Sequence, residues 1–220
     1  MSIKENLLKI KDKIPANIKL IAVSKTYTSE KIIEAYNAGH KIFGENRAQE
    51  IIDKQPQLPA DIEWHFIGHL QTNKVKYIAP FVYMIHSIDS LKLLKEVNKE
   101  ARKNNRVIDC LLEMYIASEE SKFGLDLIEA LSILDSQEYK ELHNIRICGV
   151  MAMATFTEDM EVVRKEFKDL KSYFQQIKEK YFSDKFYFKE ISMGMSGDYH
   201  IAIEEGSTIV RIGTAIFGER

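Results

Sequence analysis

A lysine follows the first apolar run of the sequence, in the segment 22–26 (AVSKT). Because side chains alternate along a strand, Lys25 shares a face with Ile21 and Val23. If that face lines the interior of a barrel, Lys25 points into the barrel mouth. Partial desolvation there lowers the pKa of the amine and frees it to attack a carbonyl carbon. The alternative is a lysine whose ammonium reaches solvent from the strand end, and the local sequence leaves both open.

An arginine interrupts the last apolar run, residues 208–213 (TIVRIG). Arg211 shares a strand face with Ile209, so its side chain is predicted to be buried. A buried guanidinium keeps its charge and therefore needs an acceptor. Either a ligand supplies that acceptor, or Arg211 forms a structural ion pair, for which Glu45 and Glu113 are the candidates.

Two glycine-containing loops follow the last two apolar runs, at residues 192–198 (SMGMSGD) and 213–218 (GTAIFG). Glycines such as Gly213 let backbone N–H groups approach a phosphate, the hydroxyls of Ser196 and Thr214 add donors, and a helix start favours an anion. In (β/α)8 barrels, phosphate sites frequently form from the loops after strands seven and eight. The alternative is that these glycines only make turns.

Asn46 follows the second apolar run, within residues 43–47 (FGENR), and shares a face with Gly44, so it can reach the same mouth. Alternatively, Asn46 caps the helix that follows. Residues 65–74 (HFIGHLQTNK) predict a polar loop lining the mouth as well. His65 and His69 have no suitable third ligand nearby, so we expect no metal site.

The residues above must be positioned by short apolar runs that alternate with amphipathic helical patterns. Eight such runs cover residues 19–24, 41–44, 64–68, 84–87, 107–115, 146–153, 188–193 and 209–213. Helices are predicted between them, with Ser29 and Ser90 as caps and an apolar stripe within about residues 159–181. This alternation predicts an α/β protein, a single (β/α)8 TIM-type barrel domain over residues 1–220. An open doubly wound sheet is the alternative, but no glycine-rich turn follows the first strand.

Composition excludes several classes of function. The 220 residues are 45% hydrophobic and 29% charged, with a formal net charge of −2 and no basic cluster, so we expect no nucleic-acid partner. No apolar stretch is long enough to predict a membrane span or an export signal. Cys110 and Cys148 lie in apolar strands and predict buried, reduced thiols rather than a disulfide. We therefore expect a cytoplasmic protein, and we expect it to be a monomer.

The predicted mouth combines an amine, a fixed cation and a phosphate cradle. A phosphorylated aldehyde matches all three, since its carbonyl carbon can condense with Lys25 while its phosphate binds the two loops. An aldolase that forms a Schiff base between Lys25 and a phosphorylated sugar, without any cofactor, is a competing interpretation.

The segments around these residues resemble the YggS/PROSC family of pyridoxal phosphate homeostasis proteins. The resemblance rests on five motifs in order: 22–26 (AVSKT), 43–47 (FGENR), 65–74 (HFIGHLQTNK), 192–196 (SMGMS) and 210–214 (VRIGT).

The resemblance implies a barrel like the N-terminal domain of alanine racemase, with pyridoxal 5'-phosphate held as an aldimine on Lys25. It further implies that Ser196, Gly213 and Thr214 hold the phosphate, that Arg211 faces the pyridine nitrogen, and that Asn46 lies beside the ring. Apo-enzymes that depend on pyridoxal phosphate are the implied partners.

The resemblance also implies a protein without substantial catalytic activity, so no catalytic residue is expected. An arginine can only donate to the ring nitrogen and leaves it unprotonated, which weakens the cofactor as an electron sink. Because the sequence stops at Arg220, we expect no second domain to supply an opposing acid; Tyr27 and His69 are the remaining candidates for proton transfer. Alanine racemase also places an arginine at this nitrogen, so a low-activity amino-acid racemase stays open as the alternative.

Overall fold

Eight parallel strands close into a barrel in the order of the sequence, from β1 to β8. The computed structural model describes residues 2–117 and 123–219. The strands are β1 Lys19–Val23, β2 Ile42–Glu45, β3 Glu63–Phe66, β4 Met84–Ile88, β5 Ile108–Glu113, β6 Ile145–Met151, β7 Glu190–Ser192 and β8 Ile209–Ile212. Pairing of Ile21 with Arg211 joins β1 to β8 and closes the sheet. The predicted barrel and its eight strands are confirmed.

Helices surround the barrel and return the chain from each strand to the next. They are α1 Ile3–Lys11, α2 Ser29–Asn37, α3 Ala48–Lys54, α4 Thr72–Ile78, α5 Leu91–Lys103, α6 Leu127–Asp135, α7 Gln137–Lys140, α8 Met160–Tyr181, α9 Tyr199–Glu204 and α10 Thr214–Phe217, with a 3-10 turn at Gln55–Gln57. Ser90 caps α5 as predicted, its hydroxyl accepting from the Leu93 N–H at 3.3 Å. The predicted cap at Ser29 is wrong by one residue, because Thr28 keeps the extended backbone and Ser29 is already helical.

The apolar core has an outer and an inner part. The outer part lies between the strands and the helices, and it includes the predicted stripe of α8, of which Val163, Phe167, Leu170, Phe174 and Ile177 are buried. The inner part fills the barrel with Ile21, Met84, Leu111, Cys148, Met151 and Ile209. Strands apolar on both faces therefore follow from a sheet that is covered on both sides.

A bulge in β6 lets two strands approach closely. Cys110 pairs with Ile147 and Leu111 with Gly149, so Cys148 is an extra residue that points into the barrel. Gly149 has φ +155°, and a Cβ atom there would lie 1.8 Å from the carbonyl oxygen of Glu190 on β7. A side chain at Gly149 would thus break the contact between β6 and β7. Cys110 and Cys148 are both buried free thiols, as predicted.

Candidate functional site

Lys25 lies two residues after the end of β1, at the carboxyl end of the barrel, where its side chain is half-buried. Ile21, on the same strand face, belongs to the inner cluster, as the alternation predicted. Thr26 has φ 68°, a left-handed conformation that turns the chain sharply after Lys25. The amine is thus presented from the first residues of a loop, in the part of such barrels that carries active sites.

A buried ionic cluster holds this loop from outside the barrel wall. The ammonium of Lys54 lies 2.8 Å from the Glu45 carboxylate and 3.0 Å from that of Glu50. Ser24 donates its hydroxyl to Glu45 at 2.6 Å, and its carbonyl oxygen accepts from Lys54 at 3.0 Å. The Thr26 N–H donates to Glu50 at 2.7 Å. The backbone on both sides of Lys25 is therefore fixed by charged groups.

Glu45 has the largest desolvation cost in this ionic cluster, because its carboxylate is fully buried. Burial raises the pKa of its carboxyl group, and the hydrogen bonds from Lys54 and Ser24 oppose that shift. No role for Lys54 was predicted from the sequence. Its position one helical turn after Glu50 on α3 was a possible signal, since oppositely charged residues four apart pair on a helix.

Arg211 lies inside the barrel on β8 and is 4% exposed. Its Nη1 donates to the carbonyl oxygen of Ser192 at 2.8 Å and to the Ser192 hydroxyl at 2.7 Å, and its Nη2 donates to the carbonyl oxygen of Ala152 at 2.9 Å. Burial lowers the pKa of the guanidinium to about 10, which leaves it charged at neutral pH. Within residues 2–117 and 123–219 it forms no ion pair, so the expected alternative of a salt bridge with Glu45 or Glu113 is wrong.

The two loops after β7 and β8 each lead into a short helix. Ser196 lies in the turn before α9 and Thr214 is the first residue of α10, and both side chains are exposed. A Cβ atom on Gly213 would lie 3.1 Å from the carbonyl oxygen of Val23, so the start of α10 lies close against the end of β1. The hydroxyls and the first-turn amides of these helices are suited to an anion.

Tyr27 joins the Lys25 loop to the end of α10. Its ring stacks on that of Phe217 with the centroids 4.8 Å apart, and its hydroxyl donates to the carbonyl oxygen of Gly218 at 2.6 Å. The side chain is buried and its hydroxyl already has an acceptor, so proton transfer by Tyr27 stays a prediction.

Asn46 lies between β2 and α3. The N-cap residue of α3 is Arg47, and no side chain forms a capping hydrogen bond at this end of the helix. The interpretation that Asn46 caps the helix is therefore wrong. Its Oδ1 atom is buried without a hydrogen-bond partner among the described residues. A Cβ atom on Gly68 would lie 2.3 Å from the carbonyl oxygen of Asn46, so the loop after β3 packs tightly against it. The unpaired amide oxygen is an acceptor that a ligand can satisfy.

Glu113 ends β5 and was considered from the sequence only as an ion-pair partner. Its Oε2 atom is buried and has no partner in the described part of the chain. Burial raises the pKa of this carboxyl group to about 7, and the neighbouring Asp89 adds to the shift, while Arg211 opposes it. A carboxyl group that titrates near neutral pH, next to a fixed cation, is typical of a functional site.

The two histidines of the 65–74 segment have different positions. His69 belongs to the predicted loop: its Nδ1 lies 3.1 Å from Asp89, and its exposed ring stacks on Phe123 at 4.4 Å. His65 is wrongly placed on that loop by the sequence, because it lies within β3 with its side chain fully buried in the barrel. In the described ranges, no group of three or more metal-ligating side chains is found.

The six predicted site residues collect on one part of the barrel rim. Asn46 follows β2, Lys25 follows β1, Arg211, Gly213 and Thr214 lie on or after β8, and Ser196 follows β7. These four strands are consecutive neighbours in the closed sheet. The rim thus offers an amine, a buried cation, anion-binding loops and unpaired acceptors at Asn46 and Glu113.

Known proteins are similar to this chain along its whole length. The profile of the family described as "Alanine racemase, N-terminal domain" matches residues 1–220. A pyridoxal phosphate homeostasis protein of Aquifex aeolicus is 45% identical over 204 residues, which cover 92% of this chain and 87% of that protein.

Solved structures agree with the sequence relatives. PipY of Synechococcus elongatus, solved with pyridoxal phosphate bound, superimposes with a TM-score of 0.90 at 32% identity, covering 99% of this chain and all of PipY. An alanine racemase of Clostridium difficile shares the fold, with a TM-score of 0.78 at 15% identity over 60% of its length. The chain therefore belongs to the alanine racemase N-terminal domain family and, within it, to the pyridoxal phosphate homeostasis proteins.

Proposed function

We propose that this protein binds pyridoxal 5'-phosphate and serves its homeostasis, holding the cofactor covalently on Lys25. One observation carries the proposal. A charged guanidinium without an ion-pair partner in the described residues lies on β8, next to β1, the strand that leads to Lys25. The names and the bound cofactor of the relatives point to the same ligand.

Each of the six site residues has a proposed part. Pyridoxal phosphate supplies an aldehyde that condenses with an amine, releasing one water, and a ring that withdraws electrons. The amine of Lys25 makes that bond. The hydroxyls of Ser196 and Thr214 donate to the phosphate, and Gly213 lets the α10 backbone approach it.

Arg211 and Asn46 contact the ring in this proposal. Arg211 donates from a fixed position and carries no proton that it can give up, so the ring nitrogen stays an acceptor. Asn46 lies beside the ring and uses its unpaired Oδ1 atom there.

We propose binding and delivery rather than catalysis. Arg211 keeps the ring nitrogen unprotonated, and Tyr27 is occupied by its hydrogen bond to Gly218. His69 is paired with Asp89 at the exposed edge of the mouth. The recipients are apo-enzymes that use the cofactor, and we expect the protein to act as a cytoplasmic monomer without nucleic-acid or membrane partners. No helix in residues 2–117 and 123–219 is long and apolar enough to cross a membrane.

One observation favours a second candidate function, a slow amino-acid racemase. Glu113 is a buried carboxyl group with an unpaired oxygen and a pKa of about 7, which suits proton transfer at neutral pH. Catalysis on both faces of the ring would need a second group, and no comparable partner is found across the described mouth.

Borohydride trapping tests the covalent site. Protein loaded with pyridoxal phosphate, reduced and mapped by mass spectrometry is expected to carry the pyridoxyl group on Lys25. Lys25→Ala should remove the label, whereas Lys74→Ala, a matched change on α4, should keep it. A label mainly on another lysine would overturn the assignment. A colourless protein that takes up no cofactor but cleaves phosphorylated sugars would favour the aldolase.

Hydrogen exchange at Cα of L-amino acids in deuterated buffer separates binding from catalysis. We expect exchange no faster than with free pyridoxal phosphate. Turnover near a typical enzyme's ~10 per second would establish the racemase instead. In that case Glu113→Gln should abolish it, because the neutral amide cannot transfer a proton.

A further inference from the structure

A line of polar side chains leads from Arg211 through the barrel interior. The Ser192 Oγ atom lies 2.7 Å from Arg211 Nη1 and 3.0 Å from His86 Nδ1. The other ring nitrogen of His86, Nε2, lies 2.8 Å from His65 Nδ1. Arg211 is 4% exposed and the other three are fully buried. Four strands, β8, β7, β4 and β3, each contribute one member.

Arg211 sets the direction of the first hydrogen bond in this line, and the acceptors available to Ser192 suggest the direction of the others. A guanidinium can only donate, so Ser192 Oγ accepts from it and has one hydrogen left to give. We assign that hydrogen to His86 Nδ1, because no other acceptor for it is found among the described residues, and Nδ1 is then unprotonated. In this assignment His86 carries its proton on Nε2 and donates to His65 Nδ1. The His65 proton is then on its own Nε2, a buried atom without an acceptor among the described residues.

Both imidazoles are neutral in this arrangement. Burial lowers the pKa of His65 to about 3 and that of His86 well below its ordinary value, and Arg211 adds to the effect on His86. The line therefore contains one charge, at Arg211, and three neutral groups oriented by it. Neutral acceptors hold a cation in place and leave its electric field intact, whereas a carboxylate would cancel much of that field.

The guanidinium keeps donors for a ligand. It has five N–H groups. Three of them donate to Ser192 and Ala152, and the other two have no acceptor in residues 2–117 and 123–219. The line thus fixes one side of the guanidinium and leaves the other side for the barrel mouth.

We propose that Ser192 and His86, supported by His65, are positioning residues that hold Arg211 against the ring nitrogen of pyridoxal phosphate with its charge undiminished. This inference rests on the proposed function, since it assigns roles within the same site. It adds three residues that touch no ligand and act through Arg211.

The test uses full-length protein loaded with pyridoxal phosphate. Ser192→Ala and His86→Leu each break the line, and both should weaken cofactor affinity about tenfold to a hundredfold, the loss expected for one hydrogen bond to a charged group. His86→Asn keeps an acceptor near the position of Nδ1 and should recover part of that loss. Met84→Leu, two residues earlier on β4 and outside the line, should stay within about twofold of wild type.

A pH titration of the visible absorbance of the bound cofactor provides a readout that a structural role would not change. When Arg211 is displaced, the ring nitrogen can take up a proton, and its charge lowers the pKa of the nitrogen bonded to Lys25. The spectral midpoint should therefore move to lower pH in Ser192→Ala and His86→Leu, and stay in place in Met84→Leu. Thermal unfolding of the apo-proteins confirms that each variant is folded.

Nitrogen-15 spectra of histidine-labelled wild-type protein test the line without any substitution. His65 and His86 should appear as neutral rings protonated on Nε2 down to pH 5. An imidazolium at pH 7 at either position would overturn the inference, as would folded variants with unchanged affinity and midpoint. In those cases pyridoxal phosphate binding would stand. A wild-type protein that takes up no pyridoxal phosphate would instead overturn the proposed function, and this inference with it.

Discussion

Arg211 lies on β8 and Lys25 lies just after the neighbouring strand β1, yet the protein supports them in opposite ways. The loop of Lys25 is held from outside the barrel wall by the ionic cluster of Glu45, Lys54 and Glu50. Arg211 is held from inside the barrel by backbone oxygens and by the neutral line that begins at Ser192. The two supports suit different purposes. Charged groups fix the backbone of the Lys25 loop, whereas neutral dipoles hold Arg211, whose charge the proposed site uses.

Breaking the ionic support should give the largest effect. Lys54→Met leaves the fully buried Glu45 carboxylate without its cation, and we expect a loss of about 3–5 kcal/mol in the free energy of unfolding. Urea denaturation measures it. The double variant Lys54→Met/Glu45→Gln should recover most of the loss, because no buried charge remains. A loss below about 1 kcal/mol in the single variant would show that the cluster is not a structural support.

The Glu113 carboxyl group should make its own contribution to the pH dependence of the free energy of unfolding. Its folded pKa, about 7, lies above the ordinary value of 4.5, so the fold favours the protonated form. That stability is fully present below about pH 4.5 and is lost as pH rises through 7, by at most about 3 kcal/mol. Glu113→Gln should remove this fall.

The comparison of wild type with Glu113→Gln, by urea denaturation at several pH values, isolates this carboxyl group. His65 and His86 have lowered pKa values and contribute in the opposite direction, losing stability as pH falls below about 6.5, but they do so in both proteins. Parallel curves for the two proteins would contradict the prediction.

The next largest effect is expected from the loops after β7 and β8, which we propose bind the phosphate. Ser196→Ala and Thr214→Ala should each weaken pyridoxal phosphate binding by about 1.5–3 kcal/mol, the value of a hydrogen bond to a charged group. Titration of apo-protein measures the affinity, and pyridoxal without phosphate is the control ligand. Its weaker binding should be the same in wild type and variants. Equal affinity of the wild type for both ligands would remove the phosphate site.

The smallest effect is expected where the Lys25 loop meets α10. Tyr27→Phe removes the hydrogen bond to Gly218 while the ring still stacks on Phe217. We expect a loss of about 1 kcal/mol in the free energy of unfolding. Phe217→Leu, which removes the stacked ring instead, is the companion variant. A loss above about 3 kcal/mol in Tyr27→Phe would show that this contact is a main support of the loop.

The architecture was predictable because the same sequence pattern, an apolar run followed by a helical segment, occurs repeatedly along the chain. Eight apolar runs alternated with helical patterns, and each run proved to be a strand, including the three-residue β7. Strand parity also placed Ile21 and Arg211 inside the barrel, since it depends only on alternation. The error at Ser29 arose because Thr28 is as good a cap by residue type, and only backbone geometry separates the two.

The supports of the site were not predictable to the same degree. His86 interrupts the buried strand β4 as Arg211 interrupts β8, but nothing near His86 in the sequence indicates its hydrogen-bond partner. Ser192 looked like an ordinary loop residue. The hydrogen bond between His86 and Ser192 depends on which strands face each other across the barrel. Contacts between β4 and β7 cannot be predicted from the spacing of residues within either strand. The same holds for Lys54 and Glu45, which pair across a helix and a strand.

Closure of the sheet has a consequence for folding. The pairs Lys19–Ile209 and Ile21–Arg211 join strands far apart in sequence, and such contacts form late because a long loop must close first. Since Arg211 stands on β8 and Lys25 follows β1, a nascent or partly folded chain lacks the proposed site. A ligand that binds only the closed barrel, as proposed for pyridoxal phosphate, shifts the folding equilibrium toward that closed form.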